Sequence, residues 1–122
     1  MPSVLTTTAN EKSTAAITVS FTDENGDAVT PKTANWTLTD LDGNVINGKE
    51  QEDISSLDTS VTVVLSGNDL QIGGSETLTT VNDVSFLYRI FTVEATYDSD
   101  LGSDLPLKES CKFKLYNLEY VT

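Results

Sequence analysis

The strongest constraint on this chain is a two-residue hydrophobic alternation, broken about every ten positions by turn-forming residues. In residues 15–22, Ile17, Val19 and Phe21 fall on one side, with Thr18 and Ser20 on the other. Trp36 and Leu38 alternate with Asn35, Thr37 and Thr39. Val61, Val63 and Leu65 alternate with Thr62 and Val64 over residues 60–66. In the longest apolar run, 86–97, Phe91, Val93, Ala95 and Tyr97 share a face, and Ile90, Thr92, Glu94 and Thr96 share the other. A last strand is expected over 108–118, with Cys111, Phe113 and Leu115 inward and Lys112 and Lys114 outward. Successive side chains point to opposite faces only in extended chain, so the pattern specifies strands, each with one buried side.

The intervening segments read as turns. Asp23, Asn25, Gly26 and Asp27 supply Asx side chains and a glycine. Asp42-Gly43 between alternating runs signals a tight hairpin, with Val45, Ile46 and Asn47 as the return strand. Residues 47–58 are polar and acidic, and read as a connection between sheets. Residues 66–84 form a long polar stretch anchored by Leu70, Ile72 and Leu78, and residues 99–106 turn the chain before the last strand. About seven strands with hairpin and crossover connections suit an all-β, immunoglobulin-like Greek-key β-sandwich. Residues 15–122 would form that domain, and its core would hold Ile17, Val19, Phe21, Trp36, Leu38, Val61, Val63, Phe91, Val93, Ala95, Cys111, Phe113 and Leu115. Residues 1–14, Thr-rich with the apolar pair Val4 and Leu5, read as a polar arm or as an edge strand.

Composition narrows the chemistry. The 122 residues suit one domain. They include no histidine, the usual general base and the usual partner of a Ser or Cys nucleophile. The sole cysteine, Cys111, alternates with core residues and reads as an inert thiol; no disulfide can form within the chain. Residues 1–8 lack the basic and apolar regions of a secretory signal, and no run is long enough to span a bilayer. The expectation is a non-enzymatic protein made in a reducing cytoplasm, without membrane attachment. With 19 acids against 7 bases, the net charge of −12 opposes binding to nucleic acid phosphates.

Two charged groups stand out. Asp98, Asp100, Asp104 and Glu109 have the spacing of the first, third, seventh and twelfth ligands of an EF-hand loop, and carboxylates so spaced can converge on Ca2+. Ser103 stands where such a loop has glycine, and no helices flank it; the other reading is a solvated turn whose Asp side chains cap backbone amides. The same pair of readings applies to Asp23, Asn25 and Asp27. No other cofactor is expected. Lys108, Lys112 and Lys114 crowd the last strand, with Arg89 on the long strand nearby. This basic stripe fits either an interface or the protection of a strand edge from stray pairing. Tyr88, Tyr116 and Tyr120, with Phe86 and Leu118, lie on the face opposite the core, where they suit a subunit contact or cover by the N-terminal arm.

The stretch Val29-Thr30-Pro31-Lys32-Thr33-Ala34-Asn35-Trp36-Thr37-Leu38-Thr39-Asp40, continued by Leu41-Asp42-Gly43-Asn44-Val45-Ile46-Asn47, resembles a segment of the small immunoglobulin-like proteins of tailed-phage virions. Val63-Val64-Leu65-Ser66-Gly67-Asn68-Asp69-Leu70 and Thr92-Val93-Glu94-Ala95-Thr96-Tyr97 are similar to other parts of that group. The resemblance implies a structural virion protein, assembled in the host cytoplasm. It implies a capsid decoration or cement protein above all, holding the major capsid protein or another virion protein through many copies or a homo-oligomer. Val4, Leu5, Tyr88, Tyr116, Tyr120, Lys112 and Lys114 are the candidate interface. The competing expectation is a tail- or fibre-associated module that reads a host cell-surface glycan or protein.

Overall fold

A computed structural model describes residues 3–5, 9–72, 78–82 and 84–117. The chain is mostly strand, and its strands form two sheets around a shared core. The strands are β1 (Ser3–Leu5), β2 (Ala9–Asn10), β3 (Thr14–Ser20), β4 (Thr33–Thr39), β5 (Glu52–Asp53), β6 (Ser60–Ser66), β7 (Thr79–Val81), β8 (Val84–Ser99) and β9 (Gly102–Tyr116). One sheet has the order β1-β3-β6, and the other β2-β9-β8-β4-β5 with β7 added on β8. The N-terminal segment is shared between them. Val4 and Leu5 sit in β1, antiparallel to β3 opposite Val19 and Thr18, while β2 runs parallel to β9 with Ala9 opposite Leu115.

The alternation becomes burial. Ile17, Val19, Phe21, Trp36, Leu38, Val61, Val63, Phe91, Val93, Ala95, Phe113 and Leu115 all lie in one buried cluster that draws on both sheets. Trp36 stacks on Phe91 with ring centroids 5.5 Å apart and planes 25° from parallel. Cys111 departs from its expected core place: it is only half-buried, opposite Phe91 on the inward side of β9. A three-stranded layer is narrower than the sheet it covers, and burial on β9 becomes complete again only at Phe113 and Leu115.

Three turn expectations change. The segment 99–106 is not a loop, because β9 begins at Gly102 and only Asp100 and Leu101 separate it from β8. Pro106 fits within this strand because β2 pairs with the second edge of β9 only at Leu115 and Tyr116, so among the described residues no partner strand needs the missing N–H there. The return strand expected at 45–47 shrinks to a single bridge between Thr39 and Val45. Asn47 and Gly48 then take positive φ (54° and 68°) and turn the chain away. The long stretch 66–84 contains a 3-10 turn, Gly67–Leu70, and the short strand β7.

The turn after β4 is held by Asp40. Its Oδ1 accepts the backbone N–H groups of Asp42 and Asn44, both at 2.9 Å, and its Oδ2 accepts Asn44 Nδ2 at 3.1 Å. Gly43 supplies the φ of +88° that closes the turn. The Asn44 backbone bond, reinforced by the other donors and the charge of Arg89, holds the Asp40 carboxyl below its ordinary pKa. A depressed carboxylate stabilises the fold above its unfolded-state pKa of about 4, and that contribution is lost as pH falls through the folded value. Asp40→Asn is therefore expected to cost about 0.5–1 kcal/mol near neutrality, solvent screening keeping it small. The gap to wild type should narrow as pH falls below about 4, where the wild-type carboxylate protonates as well. Thermal melts of both proteins across that range measure the difference.

Candidate functional site

The outward face of the β8–β9 pair carries the aromatic residues set aside from the core. Antiparallel register places Phe86 opposite Tyr116, Tyr88 opposite Lys114 and Ile90 opposite Lys112. The Phe86 ring meets Tyr88 edge-on at 5.7 Å and Tyr116 at 5.9 Å. Each lysine reaches diagonally to the neighbouring ring. Lys112 Nζ lies 4.6 Å from the Tyr88 centroid, and Lys114 Nζ lies 4.6 Å from the Phe86 centroid. Such cation–π contacts contribute about 0.5–1 kcal/mol at exposed positions. Their aliphatic stems also shield the rings, and Phe86 is buried although it points away from the core. Tyr88 and Tyr116 remain half-buried, so the surface here is one of aromatic rings flanked by ammonium groups. Tyr120 and Leu118 lie outside the described residues.

One member of the basic stripe belongs elsewhere, and another is paired. Arg89 is not on this face: it points inward and is 1% exposed, with Nη2 donating to the Gln71 carbonyl at 3.1 Å. Lys108 stays on the outer side of β9 opposite Glu94, with its Nζ 3.7 Å from that carboxylate, an exposed pair of small energetic weight. The physical reason for the Arg89 placement is parity. It shares the odd-numbered side of β8 with Phe91 and Val93, and its neighbour Tyr88 takes the outer side.

The acidic group is arranged as a hairpin end. Lys32 Nζ sits 2.7 Å from Asp104 Oδ1 and 3.4 Å from Asp98 Oδ1. Asp98 Oδ1 also accepts the Asp104 backbone N–H at 2.9 Å, chiefly for which its pKa is lowered. The bond to Asp104 is the main cause raising the Lys32 pKa. Asp100 occupies the two-residue tip. Glu109 lies five residues beyond Asp104 on the same strand, about 17 Å of extended chain away. The structure therefore brings Asp98 and Asp104 together around an ammonium group and leaves Glu109 apart. Among the described residues, no group of three or more Asp, Glu, Cys or His side chains is placed to hold a metal ion.

The other acidic turn uses its carboxylates in the same local way. Asp23 Oδ1 accepts the N–H groups of Asn25 and Asp27, at 2.9 and 3.0 Å. Nearby, Glu24 Oε1 accepts the Tyr97 hydroxyl at 2.9 Å and the Ser99 hydroxyl at 2.8 Å. This ties the 21–32 connection to the tip of the β8–β9 hairpin. Burial, and then the bond to Glu24, raise the Tyr97 pKa. Sequence spacing does not show this link, because the two segments meet only through the fold. No protein-family model, curated protein or solved structure matches the chain.

Proposed function

We propose that this chain is an immunoglobulin-like Greek-key β-sandwich acting by contact rather than catalysis, as a capsid decoration or cement protein of a tailed-phage virion. The strand order supports the fold reading. β3 and β6 lie in one sheet and β4, β8 and β9 in the other, so the chain crosses between layers after β3, before β6 and again after it. The first segment pairs with both sheets in turn. The virion setting rests on the resemblance, whose segments fall in β4 and its turn, in β6 with the 3-10 turn, and in β8.

The observation that carries the contact role is the outer face of Phe86, Tyr88 and Tyr116 under Lys112 and Lys114. Partly buried aromatic rings lose little conformational entropy on docking, and flanking lysines give the face a charge opposite to the rest of an acidic chain. Repeated over a capsid lattice, many such contacts of modest strength add through avidity. The composition agrees with a non-enzymatic role, since it lacks the ordinary general base.

The test uses emptied, expanded heads of the phage that encodes the chain. Purified protein is expected to co-sediment with them to saturation. The double variant Tyr88→Ala/Tyr116→Ala should bind at least about tenfold more weakly. Absence of head binding together with binding to host cells would reject the cement role and favour the adhesive one.

A further inference from the structure

The sheet β1-β3-β6 ends on β6, and β6 is built unlike the other strand edges. β1, β2 and β5 are two or three residues long. The edge of β9 away from β8 carries Pro106, Lys108 and Lys112, which discourage pairing. β6 has seven residues with no charge, proline or glycine, and Val64 on its outer side is 57% exposed.

Which backbone groups are open follows from the register. Phe21 N–H donates to Thr59 C=O at 2.9 Å, and Gly67 N–H donates to Ser13 C=O at 3.0 Å. Hydrogen-bonded pairs alternate along an antiparallel ladder, so Val61, Val63 and Leu65 direct their N–H and C=O to β3. Ser60, Thr62 and Val64 direct theirs away, where no described strand pairs with them. Ser66 N–H already donates to Asp69 Oδ2 at 3.2 Å, which closes that end of the edge.

Beside this edge lies a groove of about 540 Å³ between β6 and residues 53–58. Trp36, Ile54, Val61 and Val63 give it an apolar lining, and Asp53 and Asp58 are its charged groups, with no base among the lining residues. We infer that the free edge of β6 takes up an extended segment of a partner protein as an added strand, with a Lys or Arg of that segment meeting Asp53 and Asp58. Alternate side chains of the added strand turn inward toward Trp36 and Ile54 and must be apolar; the others flank Thr62 and Val64 and can be polar. A second copy of this chain fits poorly, because it would bring a net charge of −12 and a β6 without any base. The edge belongs to the sheet opposite the Phe86 face, so it stands or falls separately from the capsid reading.

The experiment is residue-resolved hydrogen exchange on the full chain, with and without millimolar capped hexapeptide Lys-Val-Thr-Val-Thr-Lys. In the free protein the Thr62 and Val64 amides are expected to exchange at least about tenfold faster than those of Val61 and Val63. The peptide should slow Thr62 and Val64 by about tenfold and leave Val61 and Val63 unchanged. A peptide N-methylated at alternate residues, or one with glutamate for lysine, should not produce this protection. The variant Val64→Lys should weaken peptide binding about fivefold by placing a like charge beside the edge, with its melting temperature unchanged because the side chain is exposed. Equal protection of all four amides in the free chain would overturn the proposal. So would absent binding, protection elsewhere, equal binding of the methylated peptide, or protection rising with protein concentration alone, which would mark a second copy.

Discussion

Phe91→Ala is expected to destabilise the protein by about 3–5 kcal/mol, the range for truncating a fully buried phenylalanine. Phe91 has no exposed surface, stacks on Trp36, and stands in β8 between β4 and β9 with Leu38 and Cys111 as cross-strand neighbours. Removing the ring takes a large apolar area from the centre of the shared core, and both layers lose a packing partner. For a domain of this length the melting temperature should fall by about 10–20 °C, with a matching drop in the urea midpoint. Ile90→Ala supplies the control, because Ile90 is one residue away on the outer, half-buried side. It should cost less than about 1.5 kcal/mol. Equal losses for the two variants would contradict the assigned faces of β8.

The second large effect is expected at Arg89. A guanidinium with 1% exposure is costly to bury, and it is tolerated through its bond to the Gln71 carbonyl and the negative charge of nearby Asp40. Arg89→Ala removes the charge, the donor and a large packed volume together, and should cost about 3–5 kcal/mol. Arg89→Met keeps an apolar stem of similar reach and removes the burial penalty of the charge. It should recover at least about half of that loss. Both variants should move the Asp40 carboxyl upward in a carboxylate NMR titration, since one influence holding it low is gone. Melting curves that rank Arg89→Met with Arg89→Ala would show that the charge, rather than the packed stem, is what the core requires.

The strands with clean alternation were legible because their pattern is local. Residues 60–66 and the inward sets of β3, β4 and β8 follow from period two alone. Arg89 follows from the same parity, since it is in phase with Phe91 and Val93, but proximity to three lysines suggested an outer stripe. The segment 99–106 misleads for a different reason. Asp, Gly, Ser and Pro are turn formers, yet among the described residues no strand pairs with the second edge of β9 there, and the ladder to β8 needs nothing from Pro106. The EF-hand spacing of Asp98, Asp100, Asp104 and Glu109 counts positions along one chain, whereas the hairpin puts Asp98 and Asp104 on adjoining strands beside Lys32. The aromatic face was legible from parity, but its lysine cover depends on diagonal pairing between β8 and β9. The open edge of β6 has no signature in its own seven residues, because edges are set by strand order.

The split first segment is expected to give the molecule a directional resistance to force. Tension drawn through the N-terminal side reaches β1 first, whose antiparallel ladder on β3 is loaded from one end, so its bonds separate in succession. Beyond it β2 runs parallel to β9, and a pull between the two chain ends loads that contact lengthwise. The Ala9–Leu115 and Asn10–Tyr116 pairings, with the Glu11 N–H bond to the Tyr116 carbonyl at 2.8 Å, must then slide together. The seam acts as a short shear lock behind a strand that peels. A module anchored through its first residues can therefore give way by one strand under load and still keep its two-layer core.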